Sequence, residues 1–399
     1  MLNSIQERVE PLMSCGLTGI LRAANGIEGL LPIVHGPMNC ASGHRSIPLQ
    51  AEREPIVPTT VLTDIDLTRG TGAILKASIK KYFNIFKPQL IVVILTCSTS
   101  LTSEYLNPVL KEMSNELSIP ILELDGSGLV GDEVHGYNLM YEAISEQCKE
   151  YINDHEQNAN LLSIQGLSPS DYRISLEYRE LRSIIEQGFN RVVDGALFLN
   201  FDLRRDANLF YSTPIYCGWL WTLGEEWIPA PSGITNVLHF LEKWSSVTHM
   251  PINPNYSSCL NEYLVTLNEI RKSFPTEPVR VAIEGLSWWV IGLAKFLKEE
   301  LGCKVLISSD EAAYTYQCRY GSVAEVTLVD VGNYELMTYL DLFQPQLVFG
   351  SSFVKKGPWN WIPYFQPVWH SIEMDQSLLG PEGAIYIANS IKKGGGIYA

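Results

Sequence analysis

A chain of 399 residues is too long for one ordinary hydrophobic core and predicts two or three domains. Its 29 Lys plus Arg against 44 Asp plus Glu give a formal charge of −15, which argues against nucleic acid or an anionic membrane surface as the main partner. Met1 to Glu10 carries acids and no long apolar stretch, unlike a signal peptide, and the eight cysteines are therefore expected in a reducing cytoplasm rather than in a disulfide framework.

Short apolar runs alternate with longer helical patterns. A Gly-flanked turn, Ser14-Cys15-Gly16, comes first, then a buried-strand run over Leu30 to Val34 that leads into His35-Gly36-Pro37-Met38-Asn39-Cys40. Asp64 and Asp66 precede the glycines of Arg69-Gly70-Thr71-Gly72, a strand-to-helix turn that the carboxylates cap, and a helix is expected over Thr71 to Phe83. The strand Leu90 to Leu95 is apolar on both faces, far too short to span a bilayer, and is followed almost at once by Cys97. A helix over Ser103 to Leu117, a strand over Ile119 to Leu124, the turn Asp125-Gly126-Ser127-Gly128 and a helix over Gly136 to Asp154 complete a first block, residues 1–158.

A second block, 159–274, holds the helix Leu176 to Gln187 and the strand Ala196 to Phe201. The linker Ser273-Phe274-Pro275-Thr276-Glu277-Pro278 introduces a third, 275–377, with strands at Val279 to Ile283, Lys304 to Ile307, Val323 to Val329 and Gln346 to Phe349 and a helix at Trp288 to Glu300. Residues 378–399 read as a C-terminal helix and a Gly-rich tail. The alternation predicts an α/β protein of three doubly wound, Rossmann-like domains with parallel sheets around a central cleft. Ligands bind beyond the carboxyl ends of such strands, where Cys97, Asp125-Gly126-Ser127-Gly128 and Gly350-Ser351-Ser352 all fall.

Cys15, Cys40 and Cys97 each sit where a strand or turn gives way to the next element, a setting in which helix N-terminal N–H groups favour the iron-binding thiolate. Three thiolates are one short of the four that a cubane iron–sulfur cluster takes, so a cluster here would be shared with a second chain or completed by another group. The alternative reading, three small buried hydrophobes, stands beside it. No CxxC pair or Cys/His quartet at zinc spacing occurs. His35 and His44 flank Cys40 and are candidates for tuning a cluster, for proton delivery or for a structural hydrogen bond. Asp64 or Asp66 as a fourth ligand, and Cys148 as a solvated or half-buried bystander on the polar helix Glu146-Gln147-Cys148-Lys149-Glu150, are further readings; Cys259, Cys303 and Cys318 have no partner at ligand spacing. No Gly-Lys-Ser/Thr phosphate loop occurs. Aromatics gather at Trp219, Trp221 and Trp227 and at Trp359, Trp361, Tyr364, Phe365 and Trp369, where either a planar ligand or core packing would use them.

On these residues the sequence resembles the nitrogenase component 1 superfamily. His35-Gly36-Pro37-Met38-Asn39-Cys40 is similar to its His-Gly-Pro-x-x-Cys, Thr96-Cys97 to its strand-end Thr-Cys, and Gly136-Tyr137 to its Gly-Tyr. His370-Ser371 followed by Gly380-Pro381-Glu382-Gly383-Ala384 is similar to its C-terminal His-Ser and Gly-x-x-Gly-Ala. The resemblance implies a catalytic component of a nitrogenase-like reductase, with Cys15, Cys40 and Cys97 holding a 4Fe–4S or larger P-cluster-like iron–sulfur cluster at a dimer interface. It implies a homo- or hetero-oligomer with a like or related subunit, and electrons from a separate ATP-dependent iron–sulfur reductase similar to the nitrogenase iron protein. It places His370 at a metal or substrate position. Ser212 stands where a dinitrogenase-type cofactor cysteine is expected, and Cys217 lies five residues further on, so a second metal cofactor or a tetrapyrrole substrate is left open. The superfamily also includes scaffolds that assemble metalloclusters without turnover, which is the rival expectation.

Overall fold

The computed structural model describes residues 14–45, 57–149, 163–165, 174–190, 199–200, 214–216, 222–223, 226–364 and 376–392. His370, Ser212, Cys217, Trp219, Trp221, Phe365 and Trp369 lie outside the described residues. Two compact units emerge, one built from Met13–Asp171 with Val193–Gly218, the other chiefly from Tyr172–Val192 with Trp219–Ala399.

The first unit opens with α1 (Gly16–Asn25), β1 (Leu30–His35), α2 (Met38–Arg45), α3 (Asp64–Arg69) and α4 (Gly72–Phe86). It continues through β2 (Leu90–Leu95), α5 (Cys97–Thr102), α6 (Asn107–Leu117), β3 (Ile121–Asp125) and α7 (Glu133–Lys149). The three strands form a parallel sheet in the order β1-β2-β3, with Leu30 opposite Leu90 and Ile91 opposite Ile121. Val34 on β1 also bridges Thr59 in parallel. Leu90 to Ile94 are wholly buried because both faces of β2 are covered. On one face Ile91 and Val93 pack with Leu75 and Ile79 of α4 and Leu110 and Met113 of α6. The other face receives α1 and α7. Each of these aliphatic side chains contributes about 1.5–3 kcal/mol by leaving water.

Helices α1 and α7 lie backbone against backbone. A Cβ added at Gly19 would overlap the carbonyl oxygen of Glu133, and one at Gly136 would overlap that of Gly16. Arg22 on α1 pairs with Glu133 on α7 beside this contact. The helix expected over Ser103 to Leu117 begins only at Asn107, where Pro108 opens α6, and the unexpected short α5 precedes it, ended by Ser103 at a left-handed φ of 50°. Cys148 corrects a sequence expectation. Its neighbours in sequence are polar, yet the helical period puts it on the inner face of α7 with Tyr137, Tyr141 and Ile144, where it is fully buried and burial pushes its thiol up to about 12.

The second unit begins with α8 (Ile174–Phe189), α9 (Ile234–Thr248) and α10 (Pro254–Arg271). A doubly wound segment follows: β4 (Arg280–Glu284), α11 (Ser287–Lys295, running on as a π turn, Phe296–Glu300), β5 (Lys304–Ser309), α12 (Glu311–Tyr320), β6 (Val326–Val329), α13 (Asn333–Phe343), β7 (Leu347–Gly350) and β8 (Asn360–Pro363), closed by α14 (Gly380–Lys392). All five strands are parallel, in the order β6-β5-β4-β7-β8. The chain therefore winds outward from β4 to one edge, then returns to β7 on the other side, the Rossmann-like topology. Strand β8 was not expected from the sequence. Its short Asn360-Trp361-Ile362-Pro363 run ends in proline, which an edge strand tolerates.

α14 is held at its start by α8. The Glu177 carboxylate accepts from the Ser377 hydroxyl and, at 3.3 Å, from Leu378 N–H. Glu180 lies against Gly380, whose φ of 70° and lack of a side chain let the carboxylate approach. Burial, then the charges of Glu382 and Glu177, push the Glu180 carboxyl up to about 7, with Arg179 partly offsetting them. Between the ordinary Glu value of about 4.3 and about 7 the folded chain keeps a proton that the unfolded chain has lost. Stability therefore declines as pH rises through that window, and the whole cost stands above it. Glu180→Gln is expected to raise stability at pH 8 by on the order of 2 kcal/mol, an advantage that shrinks as the pH falls toward 4.5. Denaturant titrations at several pH values check this; a gain that is the same at every pH contradicts it.

Candidate functional site

Three elements of the first unit deliver the candidate thiols to the carboxyl edge of its sheet. Cys15 is the N-cap of α1, with extended backbone (φ −75°, ψ 167°). Cys40 lies in the first turn of α2, just past the end of β1. Cys97 is the first residue of α5, directly after β2 and the capping residue Thr96. All three are free thiols; Cys97 is exposed and the other two are half-buried.

The turn after β3 brings Cys15 and Cys97 together. Gly128 donates its N–H to Cys97 Sγ at 3.3 Å. A Cβ on Gly128 would stand 3.3 Å from the Cβ of Cys15, so the same residue abuts two of the thiols. Cys15 also pairs with Asp132 in an antiparallel bridge, Gly16 N–H donates to the Gly131 carbonyl at 3.2 Å, and Glu133 N–H to that of Ser14 at 2.8 Å. Burial raises the Cys40 thiol above its ordinary value, and Cys97 and Cys15 raise it further. A second negative charge near a thiolate disfavours ionisation, so this electrostatic coupling ties Cys40 to the same group.

Asp125, the last residue of β3, anchors the turn. Its Oδ1 accepts from Ser127 N–H at 2.9 Å and its Oδ2 from the Ser100 hydroxyl on α5 at 2.6 Å. Burial works to raise its carboxyl, but the hydrogen bonds from Ser100 and Ser127, with His135, bring it below the ordinary carboxylate range.

A second network fixes the path to Cys40. His35 is wholly buried. Thr71 Oγ1 donates to Glu104 Oε2 at 2.6 Å and lies 2.8 Å from His35 Nε2. The hydroxyl has one proton, already given to Glu104, so Nε2 carries the ring hydrogen and donates it. His35 Nδ1 is then the acceptor for the Thr60 hydroxyl at 3.2 Å, whose oxygen accepts Gly36 N–H at 3.1 Å. Burial, partly countered by Glu104, lowers the imidazole to about 4, consistent with this neutral tautomer. Of the roles open to His35, the structure displays the structural one.

The other sequence candidates separate from this group. Asp66 caps α3, accepting Thr63 N–H at 2.8 Å, while Asp64 is exposed at the start of the same helix. His44 lies on α2, and its side chain is outside the described set. Cys259, Cys303 and Cys318 belong to the second unit, where burial pushes the Cys303 thiol up to about 12. Trp359 and Trp361 are core residues there, packed with Val348 and Leu340, their indole N–H groups donating to the carbonyls of Val354 and Gly350. The sequence places the turn Asp125-Gly126-Ser127-Gly128 at a strand end but gives Asp125 no anchoring role and does not single out Ser100; an Asp at a strand end before Gly-Ser-Gly is the signal that marks such an anchor.

Among the described residues no three or more His, Cys, Asp or Glu side chains are set to hold a single metal ion. A cubane cluster binds one thiolate per iron at separate corners, so its ligands need not converge on one point. Three free thiols from three elements, with a backbone N–H aimed at one sulfur, make a donor set that fits such a group. Their mutual repulsion as thiolates is a cost that a cationic iron core offsets.

A parallel α/β architecture with a convergent thiol set at a sheet edge defines the class. The family model for nitrogenase component 1 type oxidoreductases matches residues 15–394, and the chain belongs to that family. The nitrogenase molybdenum-iron protein beta chain of Frankia alni is 22% identical over 352 residues, which cover 79% of this chain and 66% of that protein. The corresponding chain of Clostridium pasteurianum is 28% identical over 172 residues, 42% of this chain and 37% of the relative. The matched stretch thus spans from about a third to about two thirds of these relatives' length. A solved structure described as nitrogenase Cp1 at pH 6.5 superposes with a TM-score of 0.73 over 99% of this chain and 94% of the other, at 16% identity, showing a shared fold.

Proposed function

We propose that the chain is the catalytic component of a nitrogenase-like reductase, in which Cys15, Cys40 and Cys97 hold an iron–sulfur cluster. The observation that carries this is the gathering of three free thiols at one sheet edge, Cys15 and Cys97 against Gly128 and Cys40, past the end of β1, within charge reach of both. When bound, the cluster would supply one-electron transfer. The chain's own residues supply the thiolates, the Gly128 N–H directed at Cys97, and the buried network that holds the Cys40 loop. Exposed apolar side chains on the same segments, Met38, Leu101, Leu129 and Val130, support pairing with a like or related subunit through this edge. The arrangement of three Rossmann-like domains, and His370 as a metal ligand or proton donor to bound substrate, belong to the same proposal. No helix of the described residues is long and apolar enough to cross a membrane.

Anaerobic purification followed by iron, sulfide, molybdenum, vanadium and nickel analysis tests the reading; wild-type chain that takes up no iron would end it. The electron source is tested separately. Because the sequence carries no Gly-Lys-Ser/Thr phosphate loop, the chain alone is expected to turn over no ATP. Reduction should appear only with an ATP-hydrolysing iron–sulfur reductase. ATP turnover that survives further purification contradicts this.

Exposure of Cys97 favours a second reading, a scaffold that holds a cluster and hands it on. Stoichiometric loss of iron to an apo-acceptor, with no multiple turnover, is its signature.

A further inference from the structure

The thiols depend on a residue that binds none of them. From the hydrogen bonds around the turn after β3, we infer that Asp125 is a positioning residue that holds the Gly128 N–H on Cys97 Sγ, an inference that rests on the thiol set's role as a cluster site. The Asp125 carboxylate spans two elements. One oxygen takes Ser127 N–H, the residue before Gly128, and the other takes the Ser100 hydroxyl, one turn of α5 beyond Cys97. The donor and the sulfur of the Gly128–Cys97 bond are thus tied to the same carboxylate.

The surroundings leave the turn little other freedom. Gly126 N–H donates to the Leu95 carbonyl at 3.1 Å, and a Cβ there would press on Ile94 and on the backbone of Leu17. Beyond Gly128 the chain bridges Cys15 through Asp132. Gly128 itself is exposed, and the bond to Cys97 Sγ is what fixes its N–H. An N–H bond to a ligand sulfur stabilises the electron-rich form and so sets how readily a cluster accepts an electron. Asp125 is then a lever on potential without being a ligand.

Hydrogen exchange at the Gly128 amide, followed by glycine-selective nitrogen-15 labelling of the iron-free chain, reads this directly. Asp125→Ala is expected to speed Gly128 exchange about tenfold while leaving Gly292, in α11 of the second unit, unchanged. Cys97→Ala should speed it as well. Asp125→Asn keeps an acceptor for Ser127 N–H and should restore most of the protection. Should the alanine variant fail to fold, Ser100→Ala removes one of the two anchors and is expected to act in the same direction with smaller size. In iron-loaded protein of unchanged iron content, Asp125→Ala should show a more negative midpoint potential than Asp125→Asn, which lacks the same charge but keeps the acceptor for Ser127 N–H. Unaltered Gly128 exchange in Asp125→Ala, or in Ser100→Ala where that variant stands in, overturns the assignment. The exchange measurement needs no metal, so a wild type that binds no iron ends the cluster reading while Gly128 still decides this one.

Discussion

Replacing Cys40 or Cys97 by serine is expected to strip most of the iron and the brown absorption from anaerobically prepared protein, whereas Cys318→Ser leaves both in place. Cys97 is held at the turn after β3 by the Gly128 N–H, and Cys40 lies near enough for Cys97 and Cys15 to disfavour its thiolate. A serine hydroxyl has no readily available anionic form at neutral pH and is a poor ligand for iron, so each change removes one corner's anchor. Cys318 is exposed in the second unit and controls for handling damage to surface thiols. Cys148 is unsuitable as that control, because a hydroxyl in its buried site costs about 1–3 kcal/mol by itself. Iron and acid-labile sulfide determinations on the three variants check this. Iron content unchanged in both Cys40→Ser and Cys97→Ser would end the idea that these thiols bind metal.

The second large effect belongs to Gly136. In an exposed helix Gly→Ala would stabilise by about 1 kcal/mol through backbone entropy. Here the sign should reverse. The new Cβ would overlap the backbone carbonyl of Gly16, and main chain cannot rotate away as a side chain can. The helices must separate, at a cost of about 3 kcal/mol, or a fall in Tm of about 6–12 °C for a unit of this size. Cys15 caps α1, one residue before Gly16, so iron uptake should fall with stability. Gly72→Ala at the start of α4 is the contrast: its Cβ would meet only side chains, Val109 Cγ2 at 3.2 Å, which can turn aside, and Glu104 Oε1 at an ordinary 3.6 Å. Its expected change is within about 0.5 kcal/mol. Thermal unfolding of the pair decides the matter, and a Gly136→Ala chain as stable as wild type would show that α1 and α7 can part cheaply.

What the sequence makes legible follows from burial. Leu90 to Leu95 is readable to the residue, because a strand covered on both faces is apolar throughout and its neighbours are polar. The strands at 280–284, 304–309 and 347–350 are legible for the same reason, within a residue or two at their ends. Helix α1 is not. Only the turn Ser14-Cys15-Gly16 is legible there, since glycine is a poor helix former, and the closeness of α7 explains why Gly16 and Gly19 stand in a helix. Cys148 misled because five residues of local polarity outweighed a period of 3.6. The placement of Cys40 and Cys97 just past strand ends was legible from the apolar runs before them. The anchoring role of Asp125 was not, because Ser100 and Cys97, on the helix after β2, come beside its turn only through the β2-β3 pairing.

The π turn at the end of α11 carries a lesson about counting residues. Over Phe296–Glu300 the helix holds one more residue per turn than an α-helix would. That surplus sets the angle at which Glu300 leaves the helix, and its carboxylate reaches the open N–H groups of Ile234 and Thr235 at 3.1 and 3.0 Å, capping α9. A relative with one residue fewer in this stretch would have an unbroken α-helix, its counterpart of Glu300 swung aside by about 100°. Such a chain must cap the start of its α9 from elsewhere. Aligning the two without a gap between 287 and 300 would pair side chains that point in different directions.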